Sequence, residues 1–492
     1  MWFDFLAENA SRFGDRIALE QAGDGATMTY AAMDRLADRW ATYLHQLGVG
    51  EGDRVVVLAT NRAEHLHLFF ACLRLGALLV PLNYRLSPAE WTQQLDHIEA
   101  TCVLLGADFH LDHPAAFYLD LVTLPETTAF VAAPVDPQRP LLMLFTSGSS
   151  GCPKGVLLHG AMLGANIVQT RLNWELDSRD ASSTHAPFFH TGGYNVLTLP
   201  LLQAGGRILL VDCFQPDQIL DLMNAGKITV FFGVPTMFDL LARHAAFAGC
   251  DLSQLRFVIS GGAPCQQAVM QVWRERGVCF RQGFGMTEVG PNCFTIDDAT
   301  ARRKPAAVGW PMLGTCMLLL DEDDQPVGDG GVGELCIAGP HLCAGYRNNA
   351  ASTASARHGQ FWRTGDLAQR DAQGCYTIVG RKKEMYISGG ENVFPGEVVR
   401  HLINMADVRD AHVIGVPDQR WGEVGFAFLL TEQSYDVAAV RAFLEPHLSR
   451  YKHPRHLVCL TELPLLANGK VNRKALTETA LKTIQAGVQY AS

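Results

Sequence analysis

Up to about residue 290, short apolar runs of strand length alternate with helix-like stretches. This alternation restricts the fold more than any other feature. DRVVVLA at 53–59 reads as a strand, 65–75 as a helix and 77–81 as a second strand. LLMLF at 141–145, RILLV at 207–211 and ITVFF at 228–232 repeat the pattern, the last leading into a helix at 235–244. LRFVIS at 255–260 is a further strand and ends on Gly261 and Gly262. Buried strands that alternate with helices and stop at glycine turns predict parallel α/β layers.

The texture changes after residue 300. GELCIAG and GCYTIVG sit between Gly, Asp and Pro clusters, which suggests antiparallel β. A last segment begins near Lys383, with strands expected at 411–416 and 424–431 and a helix at 436–448. The expected division is therefore a domain of residues 1–382 and a small α+β domain of residues 383–492, joined by the basic stretch RKKE.

With 492 residues, 48% of them hydrophobic, the chain can bury a large core and more than one domain. Its formal charge of −10 shows no basic stripe, so nucleic acid is not an expected partner. The 13 cysteines are scattered, without a Cys-x-x-Cys pair or a zinc-like Cys/His cluster, which suggests reduced thiols and a cytoplasmic setting. The start carries acids and an arginine where a signal peptide needs a basic and then an apolar region. The longest apolar stretch is broken by Arg74 and Gly76, so no transmembrane segment is expected.

The run after LLMLF is TSGSSGCPKG, residues 146–155. A strand leading into Gly, Ser and Thr can wrap its backbone N–H groups around an anion. Thr146, Ser147, Ser149 and Ser150 add hydroxyl donors, Gly148 and Gly151 permit close approach, and Lys154 adds a mobile positive charge. The P-loop pattern G-x-x-x-x-G-K-[ST] fails: counting from Gly148, Pro153 stands where the second glycine belongs, and Gly155 follows Lys154 in place of Ser or Thr. A plain Gly/Ser linker is the bland alternative, although it has no need of Pro-Lys-Gly followed at once by VLL.

This loop resembles the phosphate-binding signature of the adenylate-forming superfamily, which includes acyl-CoA synthetases, peptide-synthetase adenylation domains and luciferases. The resemblance extends to NYRLSPAE at 83–90, VPTMF at 234–238, SGGAP at 260–264, QGFGMTE at 282–288, TGD at 364–366, GRKKE at 380–384 and PLLANGK at 464–470. It implies an α/β fold: a large N-terminal domain of layered parallel α/β subdomains with a small distorted β-barrel, and a small mobile α+β C-terminal domain.

The resemblance also implies roles. The loop residues 146–151 and Lys154 would hold the ATP phosphates. Gly261, Gly262, Ala263 and Pro264 would flank the adenine and the acyl pocket, together with Gln282, Gly283, Phe284, Gly285 and Met286. Phe284 stands where tyrosine is more usual. Thr287 would contact phosphate and Glu288 would hold Mg²⁺. Asp366 would accept hydrogen bonds from the ribose, with Arg381 as a second contact. Taken alone, Thr287 could cap a helix, TGD is a turn signal and Arg381 is a solvated charge.

Lys470 matches the catalytic lysine of the family's C-terminal motif, although a lysine in an Asn-Gly-Lys turn is ordinarily just exposed. His190, in PFFHTGGYN, matches the mouth of the acyl pocket, where a core histidine is an equal reading. Tyr194, Asn195, Val234, Gly283 and Gly285 are further candidate pocket liners. The run 190–206 carries no acid to pair with an α-ammonium, so a fatty or aryl acid without an α-amino group is expected. Ser388, Gly389 and Gly390 would line a pantetheine channel, Trp421 would lie near the thiol or nucleotide, and Lys383 would be the hinge. The expected substrates are ATP with Mg²⁺, a carboxylic acid and coenzyme A. A carrier-protein phosphopantetheine is the alternative acceptor.

Overall fold

The computed structural model describes residues 4–126, 130, 136–146, 153–465 and 471–485. The chain forms two units: residues 1–265, 269–317 and 337–362 make the first, and residues 266–268, 318–336 and 363–492 the second. The expected hinge, Lys383, lies inside the second unit.

Among the described residues, three sheets lie wholly within the first unit. In the largest, Arg54–Leu58 runs parallel to Leu78–Pro81 on one side and to Cys102–Leu105 on the other. Val55, Val56 and Val57 are fully buried, which is why the strand reads as an unbroken apolar run rather than an alternating one. The helix Glu64–Leu75 crosses between the first two strands and is buried almost all round. It stops at Gly76, whose φ of 69° suits glycine.

The sheet continues through Pro140–Thr146, parallel to Leu78–Pro81, and then turns antiparallel into Lys154–His159. The edge beyond is the two-residue strand Gly345–Tyr346, with Tyr346 opposite Val156. A second sheet runs parallel through Ala181–Thr184, Arg207–Leu210 and Ile17–Gln21, with Thr27–Thr29 antiparallel at its edge.

The third sheet is Val230–Gly233, Phe257–Ser260 and Phe280–Gln282, all parallel. Buried rings of Phe231, Phe238, Trp273 and Phe280 pack one of its faces. The expected strands and helices of this region all appear, with ends moved by no more than two residues. Parallel α/β layers are thus the architecture of these three sheets, with antiparallel pairing toward the ends of two of them.

Antiparallel β follows, as the later texture suggests. Phe294–Thr295 pairs with Ala307–Pro311. Further on, Tyr376–Arg381, Phe361–Arg370, Val332–Ala338 and Cys316–Leu320 lie side by side in that order, where the small barrel is expected.

The last segment is α+β. Asp410–Asp418 and Gly422–Leu430 form a hairpin with a three-residue connection, and His456–Leu460 adds in parallel. The helix expected at 436–448 is shorter, Val437–Leu444. Pro446 explains this, because it has no N–H to continue the hydrogen-bond ladder. No helix among the described residues is long and apolar enough to cross a membrane.

Gly345 has a φ of 138°, and a Cβ there would meet Thr353 Cγ2 at 2.6 Å. We expect Gly345→Ala to lower the urea-unfolding midpoint of the first unit, at a cost of about 1–3 kcal/mol. An unchanged midpoint would show that the edge strand adapts without strain.

Candidate active site

Three parallel strands in register must release their loops at one edge. Gly233, Ser260 and Gln282 are register partners across the third sheet. Val234, the loop 261–265 and the loop 283–288 therefore leave its carboxyl end together, the usual place for ligands in an open α/β sheet. Gln282 ties the 261–265 loop to the backbone at Pro305. Its Oε1 accepts from the Cys265 N–H at 3.0 Å and its Nε2 donates to the Pro305 carbonyl at 2.6 Å. Both ends of that amide are thus engaged with backbone.

Gly262 has a φ of 83°, which a side chain would resist. Gly285 is needed for closeness instead, since a Cβ would lie 2.2 Å from the Pro291 carbonyl carbon. The loop closes on itself, with Met286 N–H donating to the Gly290 carbonyl and Cys293 N–H to the Phe284 carbonyl. Phe284 is half-buried, its ring edge against Phe294. Thr287 is also half-buried.

Glu288 is 5% exposed, and a carboxylate so placed needs polar partners. Tyr346 is one: its hydroxyl donates to Glu288 Oε1 at 2.8 Å. The ammonium of Lys154 sits over the same tyrosine ring, 4.7 Å from its centroid. Strand pairing creates this arrangement. Tyr346 lies opposite Val156, two residues from Lys154 on a strand where alternate residues share a face. The Cys343 N–H donates to the Glu288 carbonyl at 2.8 Å and brings the 283–288 loop alongside. Burial first, and then the nearby carboxylate, push the Tyr346 phenol well above the usual tyrosine range. It therefore remains a donor. Tyr346 is a site residue that the sequence reading missed.

Thr146 faces Lys154 across the antiparallel pair. Ser147, Gly148, Ser149, Ser150 and Gly151 lie outside the described residues, as does Lys470.

The expected acyl neighbourhood divides into wall and support. His190 is half-buried, with its ring 4.5 Å from that of Phe189. It precedes a single π-helical turn, Gly192–Val196. Tyr194 is wholly buried, donates its hydroxyl to the His65 carbonyl and packs against Phe69 and Phe188. It presents no surface and supports the wall from behind. Asn195 is 2% exposed, and its Nδ2 donates to Thr191 Oγ1. Val234 is half-buried.

The sequence reading also missed Phe232. A Cβ on Gly192 would meet its ring at 3.1 Å, and one on Gly261 would do the same. This half-buried ring therefore bridges the loops after two different sheets.

In the second unit, Asp366 and Arg381 are cross-strand partners. Arg381 Nε lies 2.8 Å from Asp366 Oδ1. The carboxylate is almost buried and the guanidinium mostly exposed. An exposed pair of this kind adds little stability but fixes where the carboxylate points. Lys383 is exposed on the short turn Lys382–Glu384.

Ser388 is buried and pairs with Gly422. Gly389 and Gly390 are exposed with φ of 64° and 89°. Gly389 donates its N–H to the Trp421 carbonyl, and a Cβ there would strike the indole at 2.6 Å. The indole also carries the guanidinium groups of Arg420 and Arg455, at 5.1 and 4.9 Å.

The chain matches the family described as AMP-binding enzyme over residues 6–347, and the AMP-binding enzyme C-terminal domain over residues 400–470. It is 35% identical to a feruloyl-CoA synthase of Amycolatopsis sp., over 91% of this chain and 93% of that one. It is 33% identical to an indoleacetate–CoA ligase of Aromatoleum aromaticum, over 91% and 92%. Among solved structures, it is similar to o-succinylbenzoate CoA synthetase from Bacillus subtilis in complex with its acyl-adenylate intermediate. The TM-score is 0.87 and the identity 26%, covering 96% of this chain and 97% of that one. ATP-bound MatB from Rhodopseudomonas palustris gives a TM-score of 0.87 at 27% identity, covering 97% and 98%. Fold and family match agree, and the chain belongs to the AMP-binding enzymes.

Proposed function

We propose that this chain is an AMP-forming ligase that joins an aryl carboxylic acid to coenzyme A. The observation that carries this reading is whole-chain similarity to a feruloyl-CoA synthase and an indoleacetate–CoA ligase, at 35% and 33% identity.

The substrate carboxylate attacks the α-phosphorus of ATP, a Pα–O bond forms and pyrophosphate leaves. The thiolate of coenzyme A then attacks the acyl carbonyl of the acyl-AMP, and AMP leaves with the bonding electrons. Little covalent work falls to the protein in the first step, so positioning and charge neutralisation dominate. Lys154 offers an ammonium to the phosphates and Asp366 a nearly buried acceptor to the ribose. Glu288 suits Mg²⁺: it is a hard carboxylate donor, shielded from water and held by a phenol. When bound, Mg²⁺ would offset the charge of the triphosphate.

Residues 383–492 act in this reading as a mobile domain hinged at Lys383. It presents Lys470 for adenylation and the 388–390 loop for thioester formation. The match to the family's C-terminal domain runs as far as residue 470. The acceptor is free coenzyme A rather than a carrier protein, in keeping with the relatives' names. Use of ATP and coenzyme A fits a cytoplasmic enzyme.

The reading is tested by AMP release from ATP, Mg²⁺ and coenzyme A over a panel of cinnamic, benzoic, indole-acetic and straight-chain fatty acids. Release should require both acid and coenzyme A and be several-fold faster with aryl acids. If no acid on the panel supports ATP–pyrophosphate exchange, the chain is no such ligase.

Two substitutions separate the half-reactions. Lys470→Ala should slow acyl-AMP formation by about 10²-fold or more, and spare thioester formation from supplied acyl-AMP. Equal loss of both would remove its assigned role. Gly389→Ala, which forces the Trp421 indole to move, should do the reverse and slow the thiol step about 10–100-fold. A slower first step with an intact second would place that loop elsewhere in the cycle.

A further inference from the structure

Tyr346 lies in neither the phosphate loop nor the QGFGMTE segment, yet it touches a charged group from each. Its hydroxyl donates to Glu288 Oε1 at 2.8 Å, and its ring face lies under the Lys154 ammonium at 4.7 Å. The two contacts use different parts of one side chain. The hydroxyl bond is charge-assisted and fixes the carboxylate plane. The ring attracts the ammonium through its quadrupole without neutralising it, so the lysine's full charge stays available to a phosphate.

The tyrosine is itself over-determined. Its backbone N–H donates to Thr353 Oγ1 at 3.0 Å, its ring packs on Trp362 with centroids 5.5 Å apart, and it lies opposite Val156. A side chain held this firmly can position others.

We propose that Tyr346 is the positioning residue that sets the metal-binding carboxylate and the phosphate-binding ammonium at the spacing of one Mg²⁺–triphosphate unit. This assignment rests on the reading that Glu288 and Lys154 hold MgATP. It predicts separable losses. Without the hydroxyl, Glu288 loses a donor and its carboxylate can rotate, so metal-dependent binding weakens. Without the ring as well, Lys154 is no longer steadied, and ATP binding weakens even when metal is in excess.

The test is ATP binding to the full chain by calorimetry, without acid or coenzyme A, across a series of Mg²⁺ concentrations. For Tyr346→Phe, the Mg²⁺ concentration giving half-maximal ATP affinity should rise roughly tenfold, since a hydrogen bond to a charged group is lost. Affinity at saturating Mg²⁺ should change by less than about threefold. Tyr346→Leu should show the same rise and also lose roughly tenfold in affinity at saturating Mg²⁺. Stability loss alone would not move the Mg²⁺ midpoint, and Tyr346→Phe carries the test if Tyr346→Leu does not fold.

An unchanged Mg²⁺ midpoint in Tyr346→Phe overturns the assignment. So do identical effects of the two substitutions, because the ring would then have no separate role. If the wild-type chain binds MgATP but activates no acid, the proposed function fails and this assignment stands. If it activates acids while Tyr346→Phe keeps its metal dependence, this assignment alone fails.

Discussion

A buried carboxylate beside an ammonium group, with a phenol between them, is the constraint on which the rest of the first unit turns. Glu288 is shielded from water, and Tyr346 is a partner that donates to it there. Tyr346 can reach it only because a two-residue strand pairs with Lys154–His159 at the sheet edge. That strand begins with a glycine whose backbone a larger residue would strain. Sheet order, glycine placement and charge placement are thus one problem with one solution, and the site is the consequence.

The second unit solves a smaller problem in a similar way. Asp366 and Arg381 face each other across an antiparallel pair, so two residues of opposite charge are fixed by register rather than by long side-chain reach. Farther along, Gly389 lies against the Trp421 indole, and the indole carries two guanidinium groups.

Much of this is legible in the sequence, for identifiable reasons. Strands buried on both faces leave unbroken apolar runs, so 54–58, 78–81 and 257–260 are readable without coordinates. Lys154 stands in a loop whose composition marks it, whereas Glu288, Asp366 and Arg381 are marked by the family resemblance, since TGD alone is a turn signal and Arg381 alone a solvated charge. Tyr346 and Phe232 are invisible to the same reasoning. Tyr346 is 58 residues from Glu288 and meets it only through edge-strand pairing. Phe232 looks like one more apolar residue in ITVFF until the glycines at 192 and 261 close around it. Tyr194 errs in the other direction: its neighbours in PFFHTGGYN suggest a pocket, but its ring points into the core. Side-chain direction is the information a linear pattern lacks.

The central claim is that one carboxylate and one ammonium, set by a shared tyrosine, receive a metal–triphosphate unit. The most direct measurement is a crystal structure with a non-hydrolysable ATP analogue and Mn²⁺, read by its anomalous signal. The account predicts a single strong peak bonded to a Glu288 oxygen and to triphosphate oxygens, with the Lys154 ammonium on a phosphate while still over the Tyr346 ring. A nucleotide bound with its metal remote from Glu288, and with Lys154 away from both the phosphates and the ring, would contradict it.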